Sequence, residues 1–452
     1  MRIRKFKMTS LPQKEPIISV GLLEDAPSIS FDLAGEFKLD GAGVGEGAYR
    51  AYADGKQLCL VNQADTPIHH SRTLHLVPLA QENTFFSIRD VKIGKQFHWE
   101  RLCNQMFSGE LCLFTASAKK ITAINKILLE SYLESVISSE MSPENPVEFL
   151  KAHCICSRSW LLHQLNEKSA EGPAGHRTDY RAGEIISWTG REAHKNFDVC
   201  ADDHCQRYQG IGRINGAAKR AVQETRGEVL THNGQVCDTR YAKCCGGITE
   251  NFSTAWEDED IVYLTSITDA GSSSAPVSRE EDARRFILSQ PAAYCNIKDK
   301  NIIKRILPDF DCETRDFFRW TVDISQQDIS ALVFSKTGVD FGAIKDIVPL
   351  ARGASGRLFK IKLCGTKQEK IIGKELEIRR ILSPTHLLSS AFVVEPRGVK
   401  GELPDGFRIT GAGWGHGVGL CQIGAAGMAE HGTTYREILS HYFKGAQLTT
   451  LY

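Results

Sequence analysis

The chain has 452 residues, and 55 Lys+Arg balance 55 Asp+Glu to a formal net charge of zero. Its 42% hydrophobic and 24% charged residues are an ordinary globular balance, and the length suits two or three domains or one core with large insertions. A neutral chain argues against a polybasic nucleic-acid surface, and no run reaches the ~18 apolar residues of a membrane span. The 14 Cys fall far below the density of a disulfide scaffold, which points to buried free thiols in a reducing compartment plus a metal site. The start, Met1-Arg2-Ile3-Arg4-Lys5-Phe6-Lys7, is basic, but no apolar stretch follows, so no secretory signal is expected. By these features alone the chain leans cytoplasmic.

Residues 17–120 carry short apolar runs with β-branched residues, broken by Gly, Asp and Asn, and are expected to be mostly strands. At Ile127 the period changes: Leu129, Leu133, Val136 and Ile137 recur at helical spacing, with Tyr132 on the same stripe. A second helix should start with Asn145 as N-cap, Pro146 in the first turn and Glu148 at capping-box spacing, and run to about Leu165. Residues 167–183 are expected to be loop. Strands should bracket residues 227–241, with Asn233-Gly234 as a hairpin turn. Residues 269–315 suggest an insertion with one short helix, and 356–363 alternate as a strand. A Gly-rich loop at 411–419 and two short helices close the chain, the last capped by Thr434 with Glu437 three residues on.

Glu140 continues the apolar stripe of its helix, i+4 from Val136 and i+3 from Ile137. A carboxyl there is partly desolvated, which disfavours its charged form and suits a general acid; the alternative is a solvated helix-terminal Glu. Lys151 and Arg158, seven apart on the next helix, share a face that either approaches Glu140 and a ligand or is simply solvated. His194, Cys200, His204 and Cys205 supply two imidazoles and two thiols within a dozen residues, the ligand count and softness of a closed tetrahedral zinc site. A Cys200–Cys205 disulfide is the competing arrangement.

The stretch Gly411-Ala-Gly413-Trp414-Gly415-His416-Gly417-Val-Gly419 fits neither a dinucleotide fingerprint nor a P-loop. Alternating Gly permits close backbone approach to a ligand and leaves Trp414, His416 and Gln422 as functional side chains; a purely structural turn is the alternative. Cys244 and Cys245, beside Gly246-Gly247, are either packed small hydrophobes or a thiol nucleophile with His416 as base.

Several of these segments resemble the SpoIID/LytB family, the stage II sporulation protein D group of peptidoglycan-acting proteins. Ile127-Leu-Leu-Glu-Ser-Tyr132-Leu133 with Ser139-Glu140-Met141 resembles its "LE-x-YL…SEM-P" stretch, and Glu148-Phe-Leu-Lys151-Ala152…Arg158-Ser159 its "EALKAQAVAART" helix. Asp198-Val199-Cys200…Cys205-Gln206…Gly210 is similar to its "DV…CQ-YxG" segment, and residues 221–230 and Trp414–Ala425 extend the likeness over most of 17–452.

The resemblance implies a lytic transglycosylase acting on glycan strands stripped of stem peptides. Glu140 is then the general acid/base, and Lys151, Arg158, Tyr241, Trp414, His416, Gln422 and Tyr442 hold the glycan. Some family members carry zinc in the segment matching His194–Cys205, which supports that metal set. The expected fold is α+β, mixed helices and antiparallel strands around a substrate groove with an inserted smaller lobe. Its expected divisions are a β-rich region at 15–125, a catalytic core at 126–265, an inserted lobe at 266–380 and the rest of the core at 381–452. Cys244 and Cys421 depart from the family pattern, which usually has Ser or another small polar residue there. The family works in the cell envelope, against the cytoplasmic lean of the composition. Its LytB branch suggests a rival role, a wall-binding protein that enhances an amidase.

Overall fold

The computed structural model describes residues 12–80, 82–94, 100–167, 177–181, 183–188, 194–272, 275–313, 316–399 and 401–452. The basic start at residues 1–7, and residues 168–176 of the expected loop, lie outside these.

Strand follows strand from Ile17–Ala26 to Lys120–Leu128. In Ser28–Ala34, Ile29, Phe31 and Leu33 are buried while their neighbours face outward, the period of two expected of a half-buried strand. With Val199–Cys200 added at one edge, these strands form a seven-stranded and a six-stranded sheet sharing one core, with Val20, Phe31, Leu60, Leu74, Phe86 and Leu111 inside. Burying each such side chain contributes about 1.5–3 kcal/mol. The first helix, Leu129–Glu140, grows directly out of the last strand of the seven-stranded sheet and buries Leu129, Tyr132, Leu133, Val136 and Ile137 in the same core. An aromatic column of Phe86, Phe107, Tyr208 and Tyr132, with ring centroids 5.1–5.7 Å apart, ties the sheets to this helix.

The second helix runs Val147–Glu167, and its start differs from expectation. Asn145 does not cap it: its amide donates to the Ser142 and Ile306 carbonyls, and Glu148 Oε2 accepts the Tyr435 N–H instead of closing a capping box. Long-range partners outcompete the local cap. The Thr434–Glu437 capping box is present, as is the Asn233-Gly234 hairpin, with both turn residues at positive φ.

One strand, Arg177–Arg181, occupies part of the expected 167–183 loop, and a second, Glu184–Trp188, begins just past it. The second pairs in parallel with Glu369–Gly373, so a polar hairpin is ordered by the edge of a sheet that only tertiary folding supplies. The 269–315 segment holds two α-helices, Glu280–Leu288 and Lys300–Ile306, rather than one; Asp299 caps the second by accepting the Asn301 N–H. A second core gathers Ile185, Trp320, Val333, Ile347, Leu358, Ile378 and Phe407. The fold is α+β, with mostly antiparallel sheets and helices packed among them. Among the described residues no helix is long and apolar enough to cross a membrane.

Candidate functional site

Glu140 closes the first helix and is only 7% exposed. Its Oε1 accepts the Tyr241 hydroxyl at 3.1 Å and the Arg207 backbone N–H at 3.0 Å. Its own carbonyl, one of the orphan acceptors at a helix end, takes Lys243 Nζ at 2.7 Å, where a cation also complements the helix dipole. The stripe from Leu129 to Ile137 therefore delivers this carboxylate into a buried polar wall, away from bulk water.

That wall is assembled from remote segments. Lys243 and Arg207 both pair with fully buried Asp311, at 2.8 and 3.1 Å, and Arg207 also pairs with Asp203. Burial alone would raise the Asp311 pKa, but the two cations outweigh it and hold the carboxyl below its ordinary range. Behind Tyr241 lies His153, ring centroids 4.9 Å apart edge to face, and Gln422 Nε2 sits 3.1 Å from His153 Nε2. Burial, with Lys243 nearby, pushes the His153 pKa down to about 3, so the ring is neutral. Its Nδ1 has no hydrogen-bond partner among the described residues.

Tyr241 and Gln422 come together because Tyr241–Ala242 pairs in parallel with Leu420–Cys421. The Gly-rich loop makes this possible. Gly417 has φ +75, and a Cβ there would lie 2.4 Å from Arg357 Cζ; Gly419 has φ +74, and its Cβ would meet the Arg240 carbonyl at 2.1 Å. Arg357, fully buried, donates to the Gly415 and Cys245 carbonyls and ties the loop to the Tyr241 segment. His416 Nδ1 accepts the Val418 N–H at 3.0 Å, and its ring meets Trp256 edge to face. Burial, with Arg240, Arg379 and Arg357 around it, holds this imidazole well below its usual range.

Of the residues expected from sequence, Glu140, Tyr241 and Gln422 converge, with His416 on the adjoining loop. The others lie in different settings. Arg158 is fully buried in a two-point ion pair with Glu130, Nε–Oε1 2.9 Å and Nη2–Oε2 2.5 Å, and also donates to the Glu228 carbonyl. Lys151 pairs with Glu148 and Glu224 at 2.9 and 2.6 Å. Trp414 stacks on Phe317 at 4.8 Å. Tyr442 is 1% exposed and donates to Asp269 at 2.5 Å. Cys244 and Cys245 are buried, and the Cys245 sulfur faces Cys295. Sequence reasoning missed Arg207, Lys243, Asp311 and His153. His153 had a signal, an imidazole two residues after Lys151 on the buried side of the helix; the others had none without the fold.

His194, Cys200, His204 and Cys205 gather with their ligand atoms all within 4.8 Å of one another. His194 Nε2 lies 3.4 Å from Cys205 Sγ, and His204 Nδ1 lies 3.5 and 3.8 Å from the sulfurs of Cys205 and Cys200. Among the described residues neither sulfur is in a disulfide. The parallel pairing of Val199–Cys200 with Ile17–Ala26 positions the set, and Asp198 fixes it by accepting the Ser19 N–H and hydroxyl. A recess lined by Gly21, Val91, Gln105, Cys200 and Arg207 adjoins it.

Residues 117–232 match the family model described as Stage II sporulation protein, and residues 250–419 match a domain of unknown function. The chain is 24% identical to an uncharacterized protein of Brachyspira hyodysenteriae over 325 residues, 72% of this chain and 67% of that one. It is 24% identical to Stage II sporulation protein D of Bacillus subtilis over 328 residues, 72% of this chain and 76% of that one. With the Bacillus subtilis amidase enhancer the identity is 24% over 331 residues, 70% of this chain and 40% of that protein. The motifs and the matches agree: the chain carries a SpoIID-family domain. Glu140 and the His194–Cys205 set lie within it.

Proposed function

We propose that the chain is a lytic transglycosylase that cleaves the MurNAc–GlcNAc bonds of denuded peptidoglycan glycan strands. The observation that carries this is Glu140, a buried carboxylate in the family motif whose Oε1 is held by the Tyr241 hydroxyl and the Arg207 N–H. Ordinary glycosidases need a pair of carboxylates, one acid and one nucleophile or base. Here Glu140 serves both steps. Its carboxyl proton goes to the glycosidic oxygen as the C1–O bond breaks; the sugar's own 6-hydroxyl closes on C1, and the carboxylate takes that hydroxyl's proton. The product ends in 1,6-anhydroMurNAc, and no water is consumed. Tyr241 and Arg207 orient the carboxylate, His416 faces the strand from the Gly-rich loop, and Gln422, at the start of the next helix, backs Tyr241 through His153. Arg158, Lys151, Trp414 and Tyr442 act from behind, holding the helices and the loop in register.

The His194, Cys200, His204 and Cys205 set fits a structural zinc ion, two thiolates and two imidazoles in a closed site, supplying folding energy and no chemistry. The family likeness supports work in the cell envelope on a glycan strand, with no nucleic acid as partner.

Digestion of denuded against intact peptidoglycan, read by mass, tests the reading. The wild-type chain should release anhydro-disaccharides from denuded strands, and Glu140→Gln, which keeps an acceptor for Tyr241 and Arg207, should lose at least ~100-fold in rate. No anhydro product, or full activity in Glu140→Gln, overturns it. The likeness to an amidase enhancer favours a second reading: sedimentation with peptidoglycan and stimulation of an added cell-wall amidase, without product release, would establish that one.

A further inference from the structure

A second group of thiols lies apart from the His194–Cys205 set and has no role in the proposed reaction. Cys245, Asp269, Cys295 and Cys421 bring three sulfurs and a carboxylate oxygen within 4.8 Å of one another, and all four residues are at most 3% exposed. They come from three distant stretches of chain, so local sequence did not put them together.

The geometry is that of ligands. Cys245 Sγ and Cys295 Sγ are 3.7 Å apart, far longer than the ~2.05 Å of a disulfide. Tetrahedral coordination with ~2.3 Å metal–sulfur bonds places two sulfurs about 3.8 Å apart. Backbone N–H groups are aimed at the sulfurs: Cys245 N and Gly424 N at Cys421 Sγ, 3.1 and 3.4 Å, and Gly247 N at Cys245 Sγ, 3.4 Å. Such donors favour thiolates, the form a metal binds. Asp269 is oriented on both oxygens, Oδ1 accepting the Tyr442 hydroxyl and Oδ2 the Cys295 N–H at 2.9 Å, the outer-shell support expected around a ligating carboxylate. Gly424 leaves room for this: a Cβ there would lie 2.5 Å from both Asp269 Oδ1 and the Tyr442 hydroxyl.

The charge balance agrees. Three thiolates and a carboxylate around a dication leave two surplus negative charges. Arg319 and Arg357 donate to the carbonyls of Gly246 and Cys245 beside the cluster, at 2.9 and 3.1 Å, and supply two positive ones. Soft sulfur ligands with one carboxylate select zinc over magnesium or calcium.

We propose that Cys245, Asp269, Cys295 and Cys421 form a second, closed zinc site, distinct from the His194–Cys205 set. It staples Asp269 and Cys295 to the strand Leu420–Cys421 and to Cys245, three residues past Tyr241–Ala242, and so holds Gln422, the residue after Cys421, in place.

The test uses the full chain purified without chelator. In a His204→Ala/Cys205→Ser variant, which disables the first set and leaves the cluster untouched, elemental analysis should find one zinc per chain. Cobalt in its place should give the strong charge-transfer absorption of three thiolates. Adding Cys295→Ser to that variant should remove the metal. A folded His204→Ala/Cys205→Ser protein without metal overturns the proposal, and this result does not depend on whether any Cys295 variant folds. A Cys245–Cys295 disulfide found by thiol alkylation and mass, or zinc unaffected by Cys295→Ser, overturns it as well. Loss of glycan cleavage with both metals retained would count against the transglycosylase reading alone.

Discussion

Replacing Arg158 with Met decides whether this cation contacts substrate or holds the scaffold. The side chains of Arg158 and Glu130 are 0% and 8% exposed, and the pair joins the two helices that carry Glu140 and His153. Removing the guanidinium leaves the Glu130 carboxylate buried with only the Tyr452 hydroxyl at 2.6 Å and the distant Gly227 N–H at 3.4 Å as donors. Breaking one side of a buried pair costs about 3–5 kcal/mol, a large part of the ~5–15 kcal/mol that holds a domain together. The double variant Glu130→Gln/Arg158→Met removes both charges and should recover most of that loss. Denaturant unfolding of the wild type, both single variants and the double variant gives the coupling directly. Co-sedimentation with peptidoglycan, normalised to folded protein, should be unchanged across the series. A stable Arg158→Met protein with weakened glycan binding would refute the reasoning and return Arg158 to the substrate face.

Three further outcomes follow from the same geometry. Gly417→Ala forces a side chain onto a positive φ and against Arg357, and should cost about 1–3 kcal/mol in unfolding measurements. His153, lowered to about 3 in the fold against ~6.5 unfolded, binds a proton more readily when unfolded, so stability rises with pH from about 3 to 6.5 and falls on acidification through 6.5. At pH 5 this one group should cost about 2 kcal/mol relative to pH 8, and His153→Gln should flatten that part of the stability curve. Chelation of the wild-type protein should lower its melting temperature, and Cys200→Ser should reduce the metal content without touching the Cys245 cluster.

What could be read from the sequence were the local signals. The stripe through Val136 and Ile137 placed Glu140 at a buried helix end, Asn233-Gly234 announced its hairpin, and Thr434 with Glu437 announced its capping box. The His194–Cys205 set was visible because its ligands are close in sequence. The Arg207–Asp311–Lys243 network was not, since its three charges are remote in sequence and each alone looks like an ordinary surface residue. Asn145 misled for the same reason: its carbonyl partner at Ile306 lies 161 residues away. The Cys245–Asp269–Cys295–Cys421 cluster likewise has no spacing to recognise, and only the fold brings it together.

The contact between His153 and Gln422 spans 269 residues of chain. A nascent chain that has released its family domain therefore holds Glu140 but lacks the loop and the helix that seat beside it. Contacts of such long range form late in folding. On the proposed reading, Glu140 is furnished with its surroundings only when residues near 420 have emerged and docked, so competence arrives with that docking and not with residues 117–232 alone. A shortened product ending at residue 232 would keep Glu140 but lack Tyr241, Lys243 and Gln422.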